Sequence, residues 1–265
     1  MEDIFKYNNI VIFSGAGVST NSGIPDYRSS GGLFEKLSKE YNISSPELLF
    51  SCIGVADTPG HVHHMNTSNR NYLSEHPEIK ENNIYLEFQN KIKNAEPTSS
   101  HYLSKILNDK GKLVRVYTQN VDGLYSKTGL SEDKIVEFHG SIQKDNVVLY
   151  GDPIPDNVLN KVKEDLVDNV KKIDCIIVMG SSLQVAPFCA LPNMVTKTCC
   201  RILVDKYPNN CFTNNWSNCE DEPSMYSSYK ESSYMNIMGR KVTLRPHCCI
   251  YLKEIDMPRI SISLR

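Results

Sequence analysis

Short apolar runs alternate along the chain with segments in which apolar positions recur every three or four residues. The runs are typical of buried parallel strands, and the periodic segments are typical of helices packed on them. Strands are predicted at residues 9–13, 113–117, 135–138, 146–150, 173–179 and 201–204. Helices are predicted at residues 33–50, 85–94, 99–108 and 158–170, with Ser45-Pro46 as a helix start and 96–101 as a stop and cap. Alternating strands and helices predict an open α/β sheet.

The pattern changes after residue 206. Residues 207–240 are rich in Asn, Ser and Tyr and show little periodicity, which predicts a long loop or a partly disordered segment. Within it, residues 226–234 are either a partner-binding segment or a flexible loop. One final strand is predicted at residues 241–252, within a C-terminal tail over 241–265.

Composition narrows the class of protein. A chain of 265 residues allows one large domain, or a large and a small one. With 29 Lys and Arg against 31 Asp and Glu, the net charge is −2, which argues against nucleic acid as a direct partner. Apolar runs such as residues 175–179 are far short of the ~20 residues that span a membrane, so no membrane partner is expected.

Cysteine usage indicates a reducing compartment. The nine cysteines are odd in number, and the N-terminal residues are acidic where a signal peptide or presequence would be basic. We therefore expect free thiols and a cytoplasmic or nuclear location.

Four segments with candidate chemistry follow predicted strands. They are residues 15–28, 117–124, 138–140 and 180–183. Carboxyl ends of parallel strands meet at one edge of a sheet, where ligands bind. Small residues between a strand and a helix, as at Gly15 and Gly17, let the backbone approach a pyrophosphate. The four segments together offer phosphate-binding backbone, amides, carboxylates and one imidazole, His139.

Each of these positions also has a purely structural interpretation. Gly15 and Gly17 suit a tight turn, and Asn120 and Asp122 suit a turn before glycine. His139 could be a core histidine, and residues 147–150 could be an ordinary core strand.

The motifs jointly resemble those of the sirtuins, a family of NAD-dependent protein lysine deacylases. The likeness covers roughly residues 8–206. It is carried by Gly-Ala-Gly and Gly-Ile-Pro-Asp-Tyr-Arg within 15–28, Thr-Gln-Asn-Val-Asp-Gly-Leu at 118–124, His-Gly at 139–140, Val-Val-Leu-Tyr-Gly-Asp at 147–152 and Gly-Ser-Ser-Leu at 180–183. The resemblance implies a catalytic domain over 1–206. Its fold would be a Rossmann-like open parallel sheet with helices on both faces and a smaller module, including a helical insertion around 33–110.

The resemblance also implies which residues bind NAD, a consumed co-substrate. The residues that would lie against the phosphates are Gly15, Ala16, Gly17, Ser19 and Thr20, and those on a loop over the nicotinamide half are Asp26, Tyr27 and Arg28. The residues at the nicotinamide ribose and amide would be Gln119, Asn120 and Asp122. Those at the adenosine would be Gly180, Ser181, Ser182 and Asp205. Asp205 stands where the family usually has Asn, which would alter the adenosine-ribose contact.

The implied substrate is an acyl-lysine peptide bound by strand addition, with acetyl as the default acyl group. Its binding edge would be formed by Val148, Tyr150, Gly151 and Asp152. His139 and Asn120 are the implied catalytic residues. The acyl oxygen would attack the anomeric carbon of the nicotinamide ribose. His139, as a general base, would then deprotonate a ribose hydroxyl, giving deacylated lysine, nicotinamide and O-acyl-ADP-ribose.

One departure from the family concerns zinc. Members usually carry two Cys-x-x-Cys pairs between the His-Gly pair and the peptide-binding strand. Here residues 140–146 alone fill that interval and none is a cysteine, so we expect neither the zinc module nor a zinc ion. Either the domain works without the module, or its loss impairs activity. Two other groups of residues are candidate metal ligands. The cysteines at 199, 200, 211, 219, 248 and 249 either bind a metal or are free thiols. The histidines at 61, 63 and 64 either bind a metal or belong to a solvated loop.

Two other functions compatible with these motifs remain. One is a regulatory protein that binds NAD or ADP-ribose without turnover. The other is a mono-ADP-ribosyltransferase or NAD glycohydrolase, which would pass ADP-ribose to protein or to water.

Overall fold

The fold is taken from a computed structural model that describes residues 4–41, 46, 83–196, 198–205, 234–237, 240–243 and 249–253. The helices are α1 (Leu33–Tyr41), α2 (Asn83–Asn94), α3 (Ser99–Asp109), α4 (Leu124–Lys127) and α5 (Asp156–Lys163). The strands are β1 (Ile10–Ser14), β2 (Leu113–Thr118), β3 (Ile135–Glu137), β4 (Cys175–Met179), β5 (Cys200–Asp205), β6 (Tyr234–Ile237), β7 (Arg240–Thr243) and β8 (Cys249–Lys253). No helix of the described segments has the length and apolarity to cross a bilayer.

A parallel sheet of six strands forms the centre of the fold, in the order β3-β2-β1-β4-β5-β8. β1 lies between β2 and β4, and its Phe13 pairs with Tyr117 on one side and Val178 on the other. This is the order of a Rossmann-like sheet, with the crevice outside the carboxyl ends of the strands where the order reverses. The predicted fold class is confirmed.

Both faces of the sheet are covered, which explains why its strands are continuously apolar. On one face, alternate strand residues such as Phe13 and Val178 pack against Val162 of α5. On the other face, Ile12 and Ile177 pack with Leu107 of α3. Side chains alternate across a strand, so two covered faces favour apolar residues at most positions of each strand.

A smaller helical cluster lies beside the sheet. Leu33 and Leu37 of α1 pack against Phe88 and Ile92 of α2 and against Leu124. The predicted helix over 33–50 ends at Tyr41, and Pro46 lies in a 3-10 turn. Residues 42–45 and 47–82 lie outside the described part of the chain.

Four predicted elements differ from the structure. Residues 146–149 form no strand, because the Val148 N–H donates to the His139 carbonyl at 2.8 Å and the Leu149 N–H donates to the Asp152 carboxylate at 3.0 Å. The helix predicted over 158–170 ends at 163 and continues as a wide turn over 164–168. The loop predicted over 207–240 contains β6, and the single strand predicted over 241–252 is two strands, β7 and β8.

The wide turn places a carboxylate inside the fold. Asp165 is 4% exposed and Arg115 of β2 is 6% exposed. The guanidinium contacts both carboxylate oxygens of Asp165, at 2.5 and 3.2 Å, and the Tyr117 hydroxyl donates to the same carboxylate at 2.7 Å. A charge this deeply buried is tolerated only when it is paired. The ion pair therefore ties the segment after α5 to the centre of the sheet.

Residues 140–146 return the chain from β3 in a compact turn. The Ser141 N–H donates to the Asn146 side chain at 2.8 Å, and the Ile142 N–H donates to the Val121 carbonyl at 2.9 Å. Gly140 has φ +73° and lies so close to the Asn146 carbonyl that no Cβ fits. This turn places residues 147–152 next to His139, whose carbonyl accepts from the Val148 N–H.

We predict that Asp165→Asn lowers the free energy of unfolding by about 3 kcal/mol, because it removes the buried carboxylate that pairs with Arg115 and leaves only the exposed Glu164, 3.6 Å away, as a counter-charge. Urea unfolding measures this. Asp109→Asn is the matched control: its partner Lys105 is on an exposed helix face, so the change in unfolding free energy is expected to be small. Equal effects of the two substitutions would contradict a central role for the buried pair.

We predict that Gly140→Ala destabilises the protein more than Gly129→Ala does. Both glycines have positive φ, but a Cβ at Gly129 meets its nearest atom at 3.8 Å, whereas at Gly140 it collides with the Asn146 backbone. Gly129→Ala therefore costs only the left-handed backbone conformation, about 1–2 kcal/mol. If the two variants have the same unfolding free energy within error, the turn over 140–146 can rearrange to accommodate the added Cβ at little cost, which would contradict the prediction.

Candidate functional site

The glycines that end β1 and β4 touch each other. The Gly15 N–H donates to the Met179 carbonyl at 3.1 Å, and the Gly17 N–H donates to the Gly180 carbonyl at 2.9 Å. A Cβ on Gly15 would come 2.8 Å from the Gly180 carbonyl oxygen, and one on Gly17 would come 2.7 Å from the Gly180 Cα. Two of the four predicted segments thus meet backbone to backbone, which leaves a cradle without side chains at the reversal of strand order.

The short 3-10 helix over Ala16–Ser22 follows this contact. Ala16 is half-buried, and Thr20 is exposed with its hydroxyl bonded to the Gly17 carbonyl at 2.9 Å. Ser19 is 1% exposed, so its side chain faces inward. Of the residues predicted to lie near phosphates, Ser19 therefore has its side chain inside the fold.

Ser19 joins the first predicted segment to the second. Its hydroxyl donates to Asp122 Oδ2 at 2.7 Å and accepts from Asn120 Nδ2 at 3.1 Å. The other oxygen of Asp122 accepts from the Leu124 N–H at 3.0 Å. Asn120 and Asp122 are 6% and 4% exposed. Their described bonds hold the loop after β2 in one shape.

His101 completes this buried network. Its Nδ1 accepts from the Thr98 N–H at 3.0 Å, so Nε2 carries the proton and donates to the Ser19 hydroxyl at 3.5 Å. Burial lowers the pKa of His101 to about 4, although the nearby Asp122 charge acts in the opposite direction. The imidazole is therefore neutral at physiological pH, and the Ser19 hydroxyl and both Asp122 oxygens have hydrogen-bond partners.

Gln119 presents an amide toward the cradle. Its Oε1 accepts from the Ser181 hydroxyl at 2.9 Å, while its Nε2 is buried without a partner in the described structure. A buried amide N–H without an acceptor is unfavourable, and a ligand oxygen would satisfy it. With the side-chain-free cradle beside it, this donor fits a dinucleotide that carries phosphates, ribose hydroxyls and a carboxamide.

His139 follows β3 and lies half-buried beside the same loop. Its Nδ1 is 3.2 Å from the Gln119 carbonyl oxygen. A carbonyl only accepts, so Nδ1 carries the proton and the lone pair is on Nε2. Burial lowers the pKa of His139, and the bond to Gln119 only partly compensates. The ring is therefore a neutral base at neutral pH.

Aromatic rings fix the orientation of this imidazole. The Phe138 ring meets it edge-on at 5.5 Å, and the Phe188 ring lies 6.4 Å away. Phe188 is fully buried and also packs edge-on against Phe138 at 5.3 Å. These rings exclude water from one side of His139, which accounts for its desolvation.

Residues 26–28 lie on a loop anchored to α1. The Asp26 side chain accepts from the Ser29 N–H at 2.9 Å, and the Tyr27 ring packs at 5.6 Å from Phe34. The exposed Arg28 guanidinium lies over the Phe34 ring and donates to the Tyr150 hydroxyl at 3.0 Å. The structure thus brings the first segment into contact with the predicted substrate edge.

The substrate edge itself is an extended segment with an isolated bridge at Tyr150. Val148 and Tyr150 are half-buried, Gly151 is exposed with φ +95°, and Asp152 closes a turn with Leu149. On the other flank, Ser181 is 3% exposed, Ser182 is exposed, and Asp205 ends β5 at the same edge of the sheet. All of the predicted segments therefore converge on one edge.

No cluster of three or more histidine, cysteine or acidic side chains able to hold a metal ion occurs in the described segments. Cys175, Cys189, Cys199 and Cys200 are free thiols. The histidines at 61, 63 and 64 and the cysteines at 211, 219 and 248 lie outside the described residues.

Sequence reasoning missed several residues of this site. His101 was included only as part of a helix cap, and its imidazole does bond the Thr98 N–H at the start of α3. Its buried bond to Ser19 joins residues 82 positions apart, which no local pattern indicates. Gln143, whose Nε2 donates to the Asp122 carbonyl at 3.2 Å, and Phe188 were likewise missed, because only the fold brings them near.

Comparison with known proteins identifies relatives of this chain. The model of the Sir2 family matches residues 15–66 and 60–146. The "NAD-dependent deacetylase sir2D" of Dictyostelium discoideum is 34% identical over 238 residues, covering 75% of this chain and 39% of its own length. The "NAD-dependent protein deacetylase sirtuin-2" of Danio rerio is 30% identical, covering 76% of this chain and 56% of its own length.

The chain therefore spans between about two fifths and just over half of the length of these two relatives. A bacterial relative is matched almost throughout. The "NAD-dependent protein deacetylase" of Clostridium perfringens is 32% identical over 244 residues, covering 77% of this chain and 86% of its own length. With the motifs converging on the crevice of a Rossmann-like sheet, these similarities show that the chain belongs to the Sir2 family.

Proposed function

We propose that this protein is an NAD-dependent protein lysine deacylase. The observation that carries the proposal is the state of His139, whose Nδ1 is committed to the Gln119 carbonyl, so that a neutral Nε2 is available as a base. The relatives named as NAD-dependent deacetylases support the same reaction. Acyl-lysine on a protein or peptide is the proposed substrate, with acetyl as the default acyl group.

The proposed roles follow from the positions of the side chains. Bound NAD supplies an electrophilic ribose carbon with nicotinamide as the leaving group. The cradle of Gly15, Gly17 and Gly180 would hold its phosphates, and Gln119 Nε2 would donate to an oxygen of its nicotinamide half. The acyl oxygen of the substrate would bond the ribose carbon as nicotinamide leaves. His139 Nε2 would then accept the proton of a ribose hydroxyl, whose oxygen attacks the acyl carbon. Loss of the lysine amine and addition of one water would give O-acyl-ADP-ribose.

Asn120 and Asp122 would act on the reaction through position. Both side chains bond Ser19 inside the fold, which keeps the loop after β2 in register with the cradle. Buried hydrogen-bond networks of this kind hold reacting groups in one geometry before the substrate arrives.

The substrate peptide would bind along residues 148–152 by strand addition. The backbone at Val148 lies next to His139, whose carbonyl accepts from the Val148 N–H at 2.8 Å, and the chain then turns over residues 149–152. A peptide paired with this segment would place its acyl-lysine beside the imidazole.

We also propose that the turn over 140–146 closes the site without zinc. It contains no cysteine, and its Ile142 and Gln143 both bond the backbone at 121–122. We further propose a reducing compartment, cytoplasmic or nuclear, because the number of cysteines is odd.

We predict that His139→Ala lowers kcat for deacetylation by about 10²–10⁴-fold, the usual contribution of a general base. Mass spectrometry of O-acetyl-ADP-ribose, formed from NAD and an acetyl-lysine peptide, measures this. Calorimetric binding of ADP-ribose is the control and should be nearly unchanged, because the cradle does not involve His139. Product from the variant at the parental rate would overturn the role of His139. Binding of ADP-ribose without product from either protein would favour a regulatory protein.

We predict that the acid limb of the kcat/KM profile falls below pH 6.5, the ordinary value for histidine, because burial lowers the pKa of His139. Protonation removes the Nε2 lone pair, so activity is full above the lowered pKa and is lost as pH falls through it. A limb at or above pH 7 would contradict the desolvated, neutral imidazole.

A further inference from the structure

Three hydrogen bonds join the segment after β3 to the loop after β2. Every acceptor is a backbone carbonyl of that loop, and the pairs are His139 Nδ1 with Gln119 at 3.2 Å, the Ile142 N–H with Val121 at 2.9 Å, and Gln143 Nε2 with Asp122 at 3.2 Å. The two segments therefore lie side by side. The imidazole of His139 is one of the three links, so its position relative to the loop depends on the other two.

The amide of Gln143 also packs against the end of the loop. A Cβ added to Gly123 would lie 2.7 Å from the amide nitrogen of Gln143 and 2.9 Å from its amide oxygen. Gly123 is the residue at which α4 begins. Gln143 is otherwise exposed, so a substitution there alters the contact with the loop without opening a cavity in the core.

The turn that carries Gln143 is fixed to β3 from its other side. Lys144 Nζ lies 2.8 Å from a carboxylate oxygen of Glu132 and 2.8 Å from one of Glu137. Glu137 ends β3, and Glu132 lies in the short 3-10 helix before that strand. The Ile142 side chain packs against the helical cluster that contains Leu124. The loop after β2 is therefore held against an element that is itself anchored.

We propose that Gln143 is a positioning residue that holds the loop over 119–123 in place against His139. This inference rests on the proposed function, in which His139 is the base and this loop serves the nicotinamide half of NAD. Ser19 bonds the Asp122 side chain from inside the fold, and Gln143 bonds the Asp122 carbonyl from the turn. Without the second bond the loop can shift relative to the imidazole, and a displacement of about 1 Å is enough to cost a large factor in rate.

The test is steady-state deacetylation of an acetyl-lysine peptide by Gln143→Met, which keeps the length of the side chain and removes its donor. We expect kcat to fall about tenfold, because the base and the loop lose their alignment. The KM for the peptide and the calorimetric affinity for ADP-ribose should stay within about twofold of the parent, because the glycine cradle and residues 148–152 are unchanged.

Two further variants separate the hydrogen bond from packing alone. Gln143→Arg restores a planar group that donates, so its kcat should exceed that of Gln143→Met. Packing alone would give the opposite order, because methionine is closer to glutamine in size. Lys144→Met is the matched control in the same turn. Its side chain faces Glu132 and Glu137 and not the loop, so its kcat should equal that of the parent.

Three results would overturn the positioning role: a parental kcat in Gln143→Met, a kcat in Gln143→Arg no higher than in Gln143→Met, or an equal loss in Lys144→Met. A loss of ADP-ribose affinity in parallel with kcat would also overturn it, because the effect would then be general. In each case product formation by the parent leaves the proposed function standing. If the parent binds ADP-ribose but forms no O-acetyl-ADP-ribose from NAD, the proposed function fails, and the role of Gln143 in that reaction fails with it.

Discussion

The close contact between the glycines after β1 and β4 is the constraint on which this site depends. Gly17 bonds the Gly180 carbonyl at 2.9 Å, and neither residue leaves space for a Cβ. The two turns can therefore approach at the reversal of strand order, where a parallel sheet opens its crevice. The backbone surface formed there is the one that we propose holds the diphosphate of NAD, and the other polar groups are arranged around it.

Buried polar groups connect the glycine contact to His139. Ser19 lies two residues beyond Gly17 and bonds Asp122 and Asn120, while His101 supplies the remaining donor. Gln119, in the same loop, orients His139 through its carbonyl oxygen. The turn over 140–146 bonds this loop from the other side through Ile142 and Gln143. The proposed base, His139, is thus positioned by bonds that lead back to the glycine contact.

Much of the fold could be predicted because its strands are buried on both faces. Continuous apolar runs identified the five strands β1 to β5, and the parallel arrangement brought the motifs after them to one edge. Periodicity could not predict the features that depend on contacts between residues distant in the sequence. The segment over 146–150 is apolar like a strand, but its N–H groups bond His139 and Asp152. The wide turn over 164–168 places Asp165 against Arg115 of β2, and His101 contacts Ser19, which is distant from it in the chain.

The stoichiometry of the reaction tests the central claim most directly. Protein dialysed against a chelator would be incubated with NAD and an acetyl-lysine peptide, and nicotinamide, deacetylated peptide and O-acetyl-ADP-ribose would be quantified together. Equal amounts of all three are expected, because each acyl group is transferred to one ADP-ribose. Nicotinamide accompanied by free ADP-ribose and unchanged peptide, or ADP-ribose attached to protein, would contradict it and show that the same cleft serves a different transfer.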